Sequence, residues 1–364
     1  MENRNRHFFG SDFVRLPEIL KDVLKEEGLK AGCRICIIAD SNTAPLYAED
    51  VKTCLSSVFS ETDLFVIPAG EENKTLDSVK SIYAFLVERH YDRHDMLAAL
   101  GGGVIGDMTG FAAATYMRGI SFIQIPTTLL AQVDSSIGGK TGVDFDGYKN
   151  MVGAFHLPKL IYVNADTLKT LPEEQFASGM GEVLKTALLA DEDFYSWLLS
   201  NMDGIIGYDP DVILPMIRKT ASIKERIVER DPTEKGERVL LNLGHTIGHA
   251  IEKYMDFKML HGKCVALGVI AAARISFERG YLSTEELFEI RDVCAAFGLP
   301  IFADGIDDHK ILALTKSDKK MSGGKIRFIL LKSIGRAEAE DDVSDSELLS
   351  GIKFINGDEI AYEE

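Results

Sequence analysis

The feature that most restricts the fold is an alternation, over the first half of the chain, of short apolar runs typical of buried strands with segments of helical period. Short β-branched or aliphatic runs, each ending in turn residues, occupy residues 34–40, 64–70, 96–103, 122–128 and 160–166. Residues 75–89 place apolar side chains at the spacing of an amphipathic helix, namely Leu76, Val79, Ile82, Tyr83 and Leu86. Strands that alternate with helices predict a mostly parallel sheet with helices on both faces.

The second half of the chain has a different pattern. Nearly every segment between residues 172 and 297 follows the helical period. A late segment, 320–331, predicts two short strands that turn at Gly323 and Gly324. We therefore expect two domains: a Rossmann-like α/β domain with a mostly parallel sheet over residues 1–166, and an all-α, mainly helical domain over residues 167–364.

The charge balance argues against several classes of partner. The 364 residues include 40 Lys and Arg against 57 Asp and Glu, a formal net charge of −17. So acidic a chain disfavours nucleic acid and anionic membranes as partners, although a local lysine cluster can still bind a small anion. The first residues lack the apolar core of a secretory signal, and no apolar stretch reaches about 18 residues. We therefore predict a cytoplasmic protein without a membrane span.

Two of the five cysteines, Cys33 and Cys36, form a C-x-x-C motif, which redox and zinc sites also use. Here the motif adjoins a run that predicts a buried strand, and no second C-x-x-C motif exists. We interpret both cysteines as core residues and expect a reducing compartment.

A glycine-rich turn follows the third strand-like run. Gly101, Gly103 and Gly106 match G-x-G-x-x-G and precede a helical pattern at 108–117, the arrangement that binds pyrophosphate at a helix N-terminus. The acidic residue that a dinucleotide fingerprint places about 20 positions later is absent. The turn therefore predicts either a nucleotide site of unusual type or a plain tight turn.

Three histidines in the helical half form a candidate metal site. His245 and His249 are four residues apart and share one helix face, and His261 follows 12 residues later. Gly244 and Gly248 lie on the same face and leave room for another element or a ligand. A catalytic metal would also take an acidic ligand and an open position. A pair of hydrogen-bonded structural histidines is the alternative.

A candidate acid, Glu182, lies three residues before Lys185 on one helix face. An exposed ion pair is the alternative interpretation. Several cations lie in loops beside Gly or Asn, where they are better placed than solvated surface lysines to contact an anion. The candidate cations are Arg118, Lys140, Lys149, Lys185, Lys224, Arg238, Lys319 and Lys320.

Several segments, in one order along the chain, carry a resemblance to a known family. They are 101–107 (GGGVIGD), 116–119 (YMRG), 125–128 (IPTT), 134–142 (DSSIGGKTG), 149–150 (KN), 179–185 (GMGEVLK), 242–250 (NLGHTIGHA) and 318–320 (DKK). Together they closely resemble 3-dehydroquinate synthase, a family of the sugar-phosphate cyclase superfamily, over residues 40–335. The resemblance implies an NAD-binding α/β domain followed by a helical domain that binds a metal and the substrate.

The resemblance also implies an activity. The family consists of lyases that convert 3-deoxy-D-arabino-heptulosonate 7-phosphate to 3-dehydroquinate and phosphate, in the shikimate pathway of aromatic amino acid biosynthesis. The reaction is a transient oxidation, phosphate elimination, reduction, ring opening and aldol closure. It uses NAD, which is regenerated in each turnover, and a divalent metal, zinc or cobalt. The family further implies a homodimer in which Arg118 lies near the active site of the partner subunit.

Residue roles follow by position from the same resemblance. It implies the metal ligands Glu182, His245 and His261, in place of the pair of histidines four residues apart, and it assigns His249 to the substrate phosphate. NAD contacts are implied at Asp40, Asn42, Glu71, Lys74, Gly102, Gly103, Val104, Asp107, Thr127, Thr128, Asp134 and Lys149. Substrate contacts are implied at Lys140, Asn150, Lys185, Lys224, Arg238, Asn242, His249 and either Lys319 or Lys320.

Other functions remain open from the sequence. A sister cyclase acting on a neutral sugar phosphate, such as sedoheptulose 7-phosphate, has no substrate carboxylate for Arg238 and Lys224 to bind, and a buried arginine would then be costly. A metal-dependent polyol dehydrogenase would release NADH in every turnover. A non-catalytic relative would be expected to lose the metal ligands, which are present here.

Overall fold

A computed structural model of the chain describes residues 6–29, 32–232, 234, 236–321 and 327–357, with the backbone alone described in residues 317–321. The chain divides into two units, Met1–Leu171 and Pro172–Glu364, which are called unit 1 and unit 2 below.

Unit 1 alternates strands and helices. In chain order they are β1 His7–Gly10, α1 Leu16–Glu26, β2 Ile35–Asp40, α2 Ala44–Ser56, β3 Thr62–Ile67, α3 Leu76–Glu88, β4 Met96–Gly101, α4 Gly103–Thr115, β5 Ser121–Pro126, β6 Lys140–Phe145, β7 Tyr148–Phe155 and β8 Ile161–Asn164. Six strands form one sheet in the order β1-β8-β5-β4-β2-β3, and all neighbours pair in parallel. The predicted α/β fold with a parallel sheet is confirmed.

Helices cover both faces of this sheet, because alternate residues of its strands point in opposite directions. On β2, Ile35 and Ile37 belong to an apolar cluster that includes residues of α1 and α2. Cys36 and Ile38 belong to a second cluster that includes residues of α3 and α4. Cys33 is also buried, and burial raises the pKa of both cysteine thiols. Both cysteines are therefore core residues, as interpreted from the sequence.

The direction in which strands are added to the sheet changes between β2 and β4. The chain runs outward from β2 to β3 at one edge, then returns to β4 and continues to β5 on the other side. Open α/β sheets bind ligands at such a switch point, outside the carboxyl ends of the strands. Asp40 ends β2 and Gly101 ends β4, so two predicted cofactor segments flank this point.

Strands β6 and β7 form a separate antiparallel hairpin, which the sequence analysis did not predict. The hairpin turns at Asp146 and Gly147, whose φ angles are 51° and 77°. An Asp-Gly pair with two positive φ angles is typical of a two-residue hairpin turn, so a sequence signal was present. The hairpin carries three predicted site residues, Lys140, Lys149 and Asn150.

Unit 2 is mainly helical, as predicted. Its elements are α5 Glu173–Ala190, α6 Glu192–Ser200, α7 Met202–Ile206, α8 Pro210–Arg230, α9 His245–Tyr254, α10 His261–Glu278, α11 Thr284–Ala296, α12 Asp308–Met321, β9 Phe328–Ser333, β10 Arg336–Glu340 and α13 Asp345–Asn356. Over the described ranges of both units, the helices are too short or too polar to cross a membrane.

The hairpin of unit 2 lies later in the chain than the sequence predicted. Strands β9 and β10 pair in antiparallel fashion and turn at Ile334 and Gly335. The predicted first strand is wrong because its opening residues, Lys320 and Met321, end helix α12 in a run without Gly or Pro. Gly335, with φ of 81°, supplies the turn. Gly323 and Gly324 lie outside the described residues.

Candidate metal centre and cofactor site

Three helices of unit 2, α5, α9 and α10, approach one another backbone to backbone. A Cβ atom on Gly262 would lie 1.8 Å from the carbonyl oxygen of Ser178, and one on Gly268 would lie 1.8 Å from that of Gly244. Neither position admits a side chain, so glycine is required for this approach. The room that the sequence predicted beside Gly244 is therefore filled by another element, α10.

This packing gathers one carboxylate and three imidazoles, which we call the histidine cluster: Glu182, His245, His249 and His261. The Nε2 atoms of His245 and His261 lie 3.7 and 3.5 Å from Oε1 of Glu182. Each of the three histidines offers a ring nitrogen within 4.8 Å of the others. The members of both metal-ligand sets considered from the sequence thus lie in one place.

The carboxylate of Glu182 has the environment of a metal ligand. Its Oε1 atom is buried and accepts no hydrogen bond from a described residue. The distances of 3.5 and 3.7 Å to the two imidazole nitrogens are too long for hydrogen bonds. Two ligand atoms on one tetrahedral zinc ion lie about 3.4 Å apart, given metal–ligand bonds of about 2.1 Å. The residues present therefore fit a divalent cation held by one oxygen and two nitrogens.

The second ring nitrogen of each of these histidines faces an oxygen atom of its own. Nδ1 of His245 lies 3.1 Å from the carbonyl oxygen of Leu243. Nδ1 of His261 lies 3.6 Å from Oε2 of Glu252, a buried acid on α9. If each Nδ1 atom carries the ring proton, each Nε2 atom keeps its lone pair, and both lone pairs face the carboxylate of Glu182. The sequence analysis missed Glu252, although its spacing of seven residues from His245 places both on one helix face.

Strong local electrostatics set the charges of the cluster. Burial alone would raise the pKa of Glu182, but Lys185, whose Nζ is 2.5 Å from Oε2, and the nearby imidazoles hold it well below its usual range. Burial and the same ammonium hold the pKa of His245 well below its ordinary value. Burial also disfavours charge on His261, but Glu182 and Glu252 raise its pKa to about 9.

Both members of the Glu182–Lys185 pair are buried, so the exposed-pair interpretation is wrong.

A second group of predicted residues follows helix α8. The carboxylate of Asp231 accepts hydrogen bonds from the backbone N–H groups of Gly236 and Arg238 and so orders this loop. Arg238 is only 2% exposed, yet among the described residues its guanidinium makes one hydrogen bond, to the Pro232 carbonyl oxygen at 3.1 Å, and no ion pair. A buried guanidinium without a counter-charge is costly, so this position suits an anionic ligand.

The remaining predicted residues of unit 2 lie on several elements. Lys224 is a buried residue of α8. Asn242 ends the 3₁₀ turn Glu237–Asn242, and its side-chain amide donates to Oε1 of Glu234 at 3.1 Å. His249 is the exposed member of the histidine cluster. Lys319 and Lys320 lie near the end of α12, and their side chains fall outside what the structure describes.

In unit 1, the glycine turn connects β4 directly to α4, which begins at Gly103, five residues before the predicted start. Its N-cap residue, Gly102, makes no side-chain cap hydrogen bond, so the first backbone N–H groups of α4 suit an anion. A Cβ atom on Gly103 would lie 2.9 Å from Oγ of Ser135, and one on Gly106 would lie 2.7 Å from Oε1 of Gln124 on β5. Tight turn and close helix–strand packing are the roles that glycines play in dinucleotide sites.

A polar group of unit 1 combines predicted NAD contacts with a predicted substrate contact. Nζ of Lys74 donates to Oδ2 of Asp107 at 2.7 Å and to Oδ1 of Asn150 at 2.6 Å. Oε1 of Glu71 lies 3.4 Å from the ammonium of Lys149 and 3.9 Å from that of Lys74. Burial would lower the pKa of Lys74, but Asp107 and Glu71 outweigh it and raise the pKa. The buried lysine therefore stays charged and fixes the amide of Asn150.

The other predicted residues of unit 1 lie at strand ends and in loops. Oδ1 of Asp40 accepts the backbone N–H groups of Asn42 and Thr43, at 2.9 and 2.8 Å, so this carboxylate also orders the start of α2. The rest are Val104 in α4, the exposed Arg118 at the end of the 3₁₀ turn Tyr116–Arg118, Thr127 and Thr128 after β5, Asp134 in the π-helical turn Ala131–Ser135, and Lys140 at the exposed start of β6.

Comparison with known proteins identifies similar sequences over most of the chain. Residues 64–178 match the family description 3-dehydroquinate synthase N-terminal, and residues 179–321 match 3-dehydroquinate synthase C-terminal. A curated relative, the 3-dehydroquinate synthase of Acetivibrio thermocellus, is 44% identical over 320 residues, which cover 88% of this chain and 89% of the relative.

Solved structures with similar folds include two synthases. The 2-epi-5-epi-valiolone synthase of Streptomyces hygroscopicus, with NAD+ and Zn2+ bound, is 25% identical with a TM-score of 0.89 and 98% of each chain covered. A 2-deoxy-scyllo-inosose synthase, complexed with carbaglucose-6-phosphate, NAD+ and Co2+, is 24% identical with a TM-score of 0.83 and covers 95% of this chain and 96% of its own. The second likeness concerns the fold alone.

Proposed function

Because the chain belongs to the 3-dehydroquinate synthase family, we propose that it converts 3-deoxy-D-arabino-heptulosonate 7-phosphate to 3-dehydroquinate and phosphate. The reaction has no net redox change: an alcohol is oxidised, phosphate is eliminated, the ketone is reduced, and the ring opens and closes by an aldol step. The enzyme is then a carbon–oxygen lyase of the shikimate pathway, and its substrate is a small anionic sugar phosphate.

Two bound groups would supply the chemistry that side chains lack. We propose that Glu182, His245 and His261 hold a divalent metal, zinc or cobalt, which when bound would polarise a substrate hydroxyl and the corresponding ketone. NAD, when bound, would supply reversible hydride transfer. We propose NAD contacts for Asp40, Asn42, Glu71, Lys74, Gly102, Gly103, Val104, Asp107, Thr127, Thr128, Asp134 and Lys149. The uncapped start of α4 at the switch point supports a pyrophosphate position there.

The remaining roles belong to cations and amides. Lys185 keeps Glu182 ionised, which a metal ligand requires, and its ammonium is also proposed to contact the substrate. His249, exposed beside two proposed ligands, suits the substrate phosphate. Further substrate contacts are proposed for Lys140, Asn150, Lys224, Arg238, Asn242 and Lys320, with Lys319 as the alternative to Lys320.

The observation that favours this substrate over a neutral sugar phosphate is the environment of Arg238. Its guanidinium is buried and has one hydrogen bond within the described residues. A substrate carboxylate supplies the missing counter-charge in a planar, bidentate geometry. A sugar phosphate without a carboxylate would leave the guanidinium buried without this counter-charge.

A phosphate-release assay with the purified chain, NAD and zinc tests this function. We expect turnover with 3-deoxy-D-arabino-heptulosonate 7-phosphate, little turnover with sedoheptulose 7-phosphate, and no accumulation of NADH. Preference for sedoheptulose 7-phosphate would instead support a sister cyclase. NADH formed in proportion to product would support a polyol dehydrogenase.

We further propose an organisation in which residues 1–166 form the NAD-binding domain and residues 167–364 the metal- and substrate-binding domain. The protein is proposed to be cytoplasmic and homodimeric, with Arg118 near the active site of the partner subunit. The exposed position of Arg118, with a positive φ of 70°, is compatible with a contact outside its own subunit.

A further inference from the structure

We infer that Glu252 is a positioning residue for His261. In this role Glu252 holds the imidazole so that Nε2, and not Nδ1, is presented to the metal. The inference rests on the proposed metal site and assigns a role to a residue outside the proposed ligand set.

The contact joins two helices. Glu252 lies on α9, seven residues after His245, and is 2% exposed. His261 is the first residue of α10. Oε2 of Glu252 lies 3.6 Å from Nδ1 of His261, which is within ion-pair distance. A buried carboxylate is costly unless it is paired, so this position is poorly explained by packing alone.

The imidazole of His261 lies between two acids. Glu182 faces its Nε2 at 3.5 Å, and Glu252 faces its Nδ1 at 3.6 Å. A metal between Glu182 and Nε2 requires the lone pair on Nε2 and hence the proton on Nδ1. An ionised carboxylate is a pure acceptor, so Glu252 favours that tautomer and fixes the plane of the ring.

The two histidines proposed as ligands differ in the group that faces their Nδ1 atom. Nδ1 of His245 faces a neutral acceptor, the carbonyl oxygen of Leu243 at 3.1 Å. Nδ1 of His261 faces a carboxylate. A charged acceptor makes the ring a stronger electron donor than a carbonyl does. His261 should therefore depend on Glu252 for both its orientation and its basicity as a ligand.

The test compares Glu252→Gln and Glu252→Asp with the wild-type full-length chain after removal of metal. Gln keeps the size of the side chain but can donate an N–H group to Nδ1, which selects the wrong tautomer. Asp keeps the charge on a shorter arm. Zinc affinity is measured by competition with a chelator. The cobalt-loaded proteins are compared by their visible absorption and by the hyperfine-shifted ring N–H protons in NMR spectra.

Two further variants serve as controls. Glu347→Gln is the matched control, since Glu347 is another acid of unit 2 paired with a cation, Arg279. It should leave zinc affinity and the cobalt spectra unchanged. His261→Ala removes the proposed ligand itself and shows how the spectra respond to that loss.

We expect Glu252→Gln to weaken zinc binding about 10- to 100-fold, as loss of a partner behind a metal ligand does. One ring N–H signal should lose its protection from solvent exchange, and Glu252→Asp should show a smaller loss of affinity. Unchanged zinc affinity and cobalt spectra in Glu252→Gln would overturn this inference alone. A wild-type chain that binds no zinc would overturn the proposed metal site and the inference with it.

Discussion

The most informative single residue outside the histidine cluster is Arg238. Asp231 orders the backbone around Arg238, and the Pro232 carbonyl oxygen accepts a hydrogen bond from the Arg238 guanidinium. These contacts also suit a purely structural role in the loop. Truncation of the side chain distinguishes the two roles. A substrate-binding role predicts a loss of transition-state binding, and a structural role predicts a loss of folding stability.

Arg238→Ala is expected to lower kcat/KM about 30- to several-thousand-fold. Truncating one member of a closed charge pair costs about 2–5 kcal/mol, because the other charge stays buried and unpaired, and each 1.4 kcal/mol is about tenfold in rate. Steady-state kinetics measure the loss, and zinc affinity should not change. Arg238→Lys should recover part of the activity, since lysine keeps the charge but not the planar fork.

The matched control is Arg230→Ala, which removes an exposed arginine at the end of α8 that pairs with Glu237. Its kcat/KM should stay near that of the wild type. If Arg238→Ala lowered the melting temperature while kcat/KM stayed normal, the loop role would be correct and the carboxylate assignment wrong.

At the scale of elements, ion pairs connect the ends of helices in unit 2. Arg279 follows α10, and its Nε donates to Glu347 of α13 at 2.6 Å, while Nη1 donates to Asp342 at 2.9 Å. Glu347 also completes the capping box of α13 with Ser344. The hydrogen bond from Arg279 is the main cause that lowers the pKa of Glu347 to about 2.

This pair predicts an acid-dependent contribution to stability. A carboxyl whose pKa is about 4.3 when unfolded and about 2 when folded stabilises the fold above pH 4.3, and that contribution is lost as the pH falls to about 2. Solvent screens the partly exposed pair, so Glu347→Gln should cost about 1 kcal/mol at pH 7. Denaturant unfolding followed at Trp197, the single tryptophan, reports on unit 2. A difference between variant and wild type that stayed constant from pH 7 to pH 2 would contradict this assignment.

At the scale of the whole molecule, the proposed metal connects activity to the stability of unit 2. Glu182, His245 and His261 belong to three different helices. A ligand that binds only the folded state stabilises it by about 2.7 kcal/mol at a hundred times its Kd. Metal binding by these residues should therefore stabilise the packing of α5, α9 and α10.

Removing metal with a chelator is expected to abolish turnover and to lower the midpoint of unfolding seen by Trp197 fluorescence. Added zinc should restore both. His245→Ala is the control, since its midpoint should no longer respond to zinc. A wild-type midpoint that is the same with and without zinc would show that these residues do not hold a metal in the folded chain.

Much of the fold could be predicted because its signals are local. Short apolar runs located five of the six strands of the parallel sheet, the 3.6-residue period located α3 and α4, and the nearly continuous helical period identified the character of unit 2. The β6–β7 hairpin was missed although Asp146 and Gly147 mark its turn. The hairpin of unit 2 was placed too early, since it turns at Ile334 and Gly335.

By itself, the sequence determined the class of fold, the family resemblance and the candidate ligands, because motifs and periodicities are properties of neighbouring residues. Only the tertiary structure decided three facts. Glu182 is buried between two imidazoles, and its Oε1 accepts no hydrogen bond from a described residue. Glu252 lies behind His261, and the buried Arg238 guanidinium has one hydrogen bond among the residues that the structure describes. These facts depend on how closely α5, α9 and α10 pack and on how Asp231 orders a loop. Such distances join residues far apart in the chain, so no local pattern of residue types specifies them.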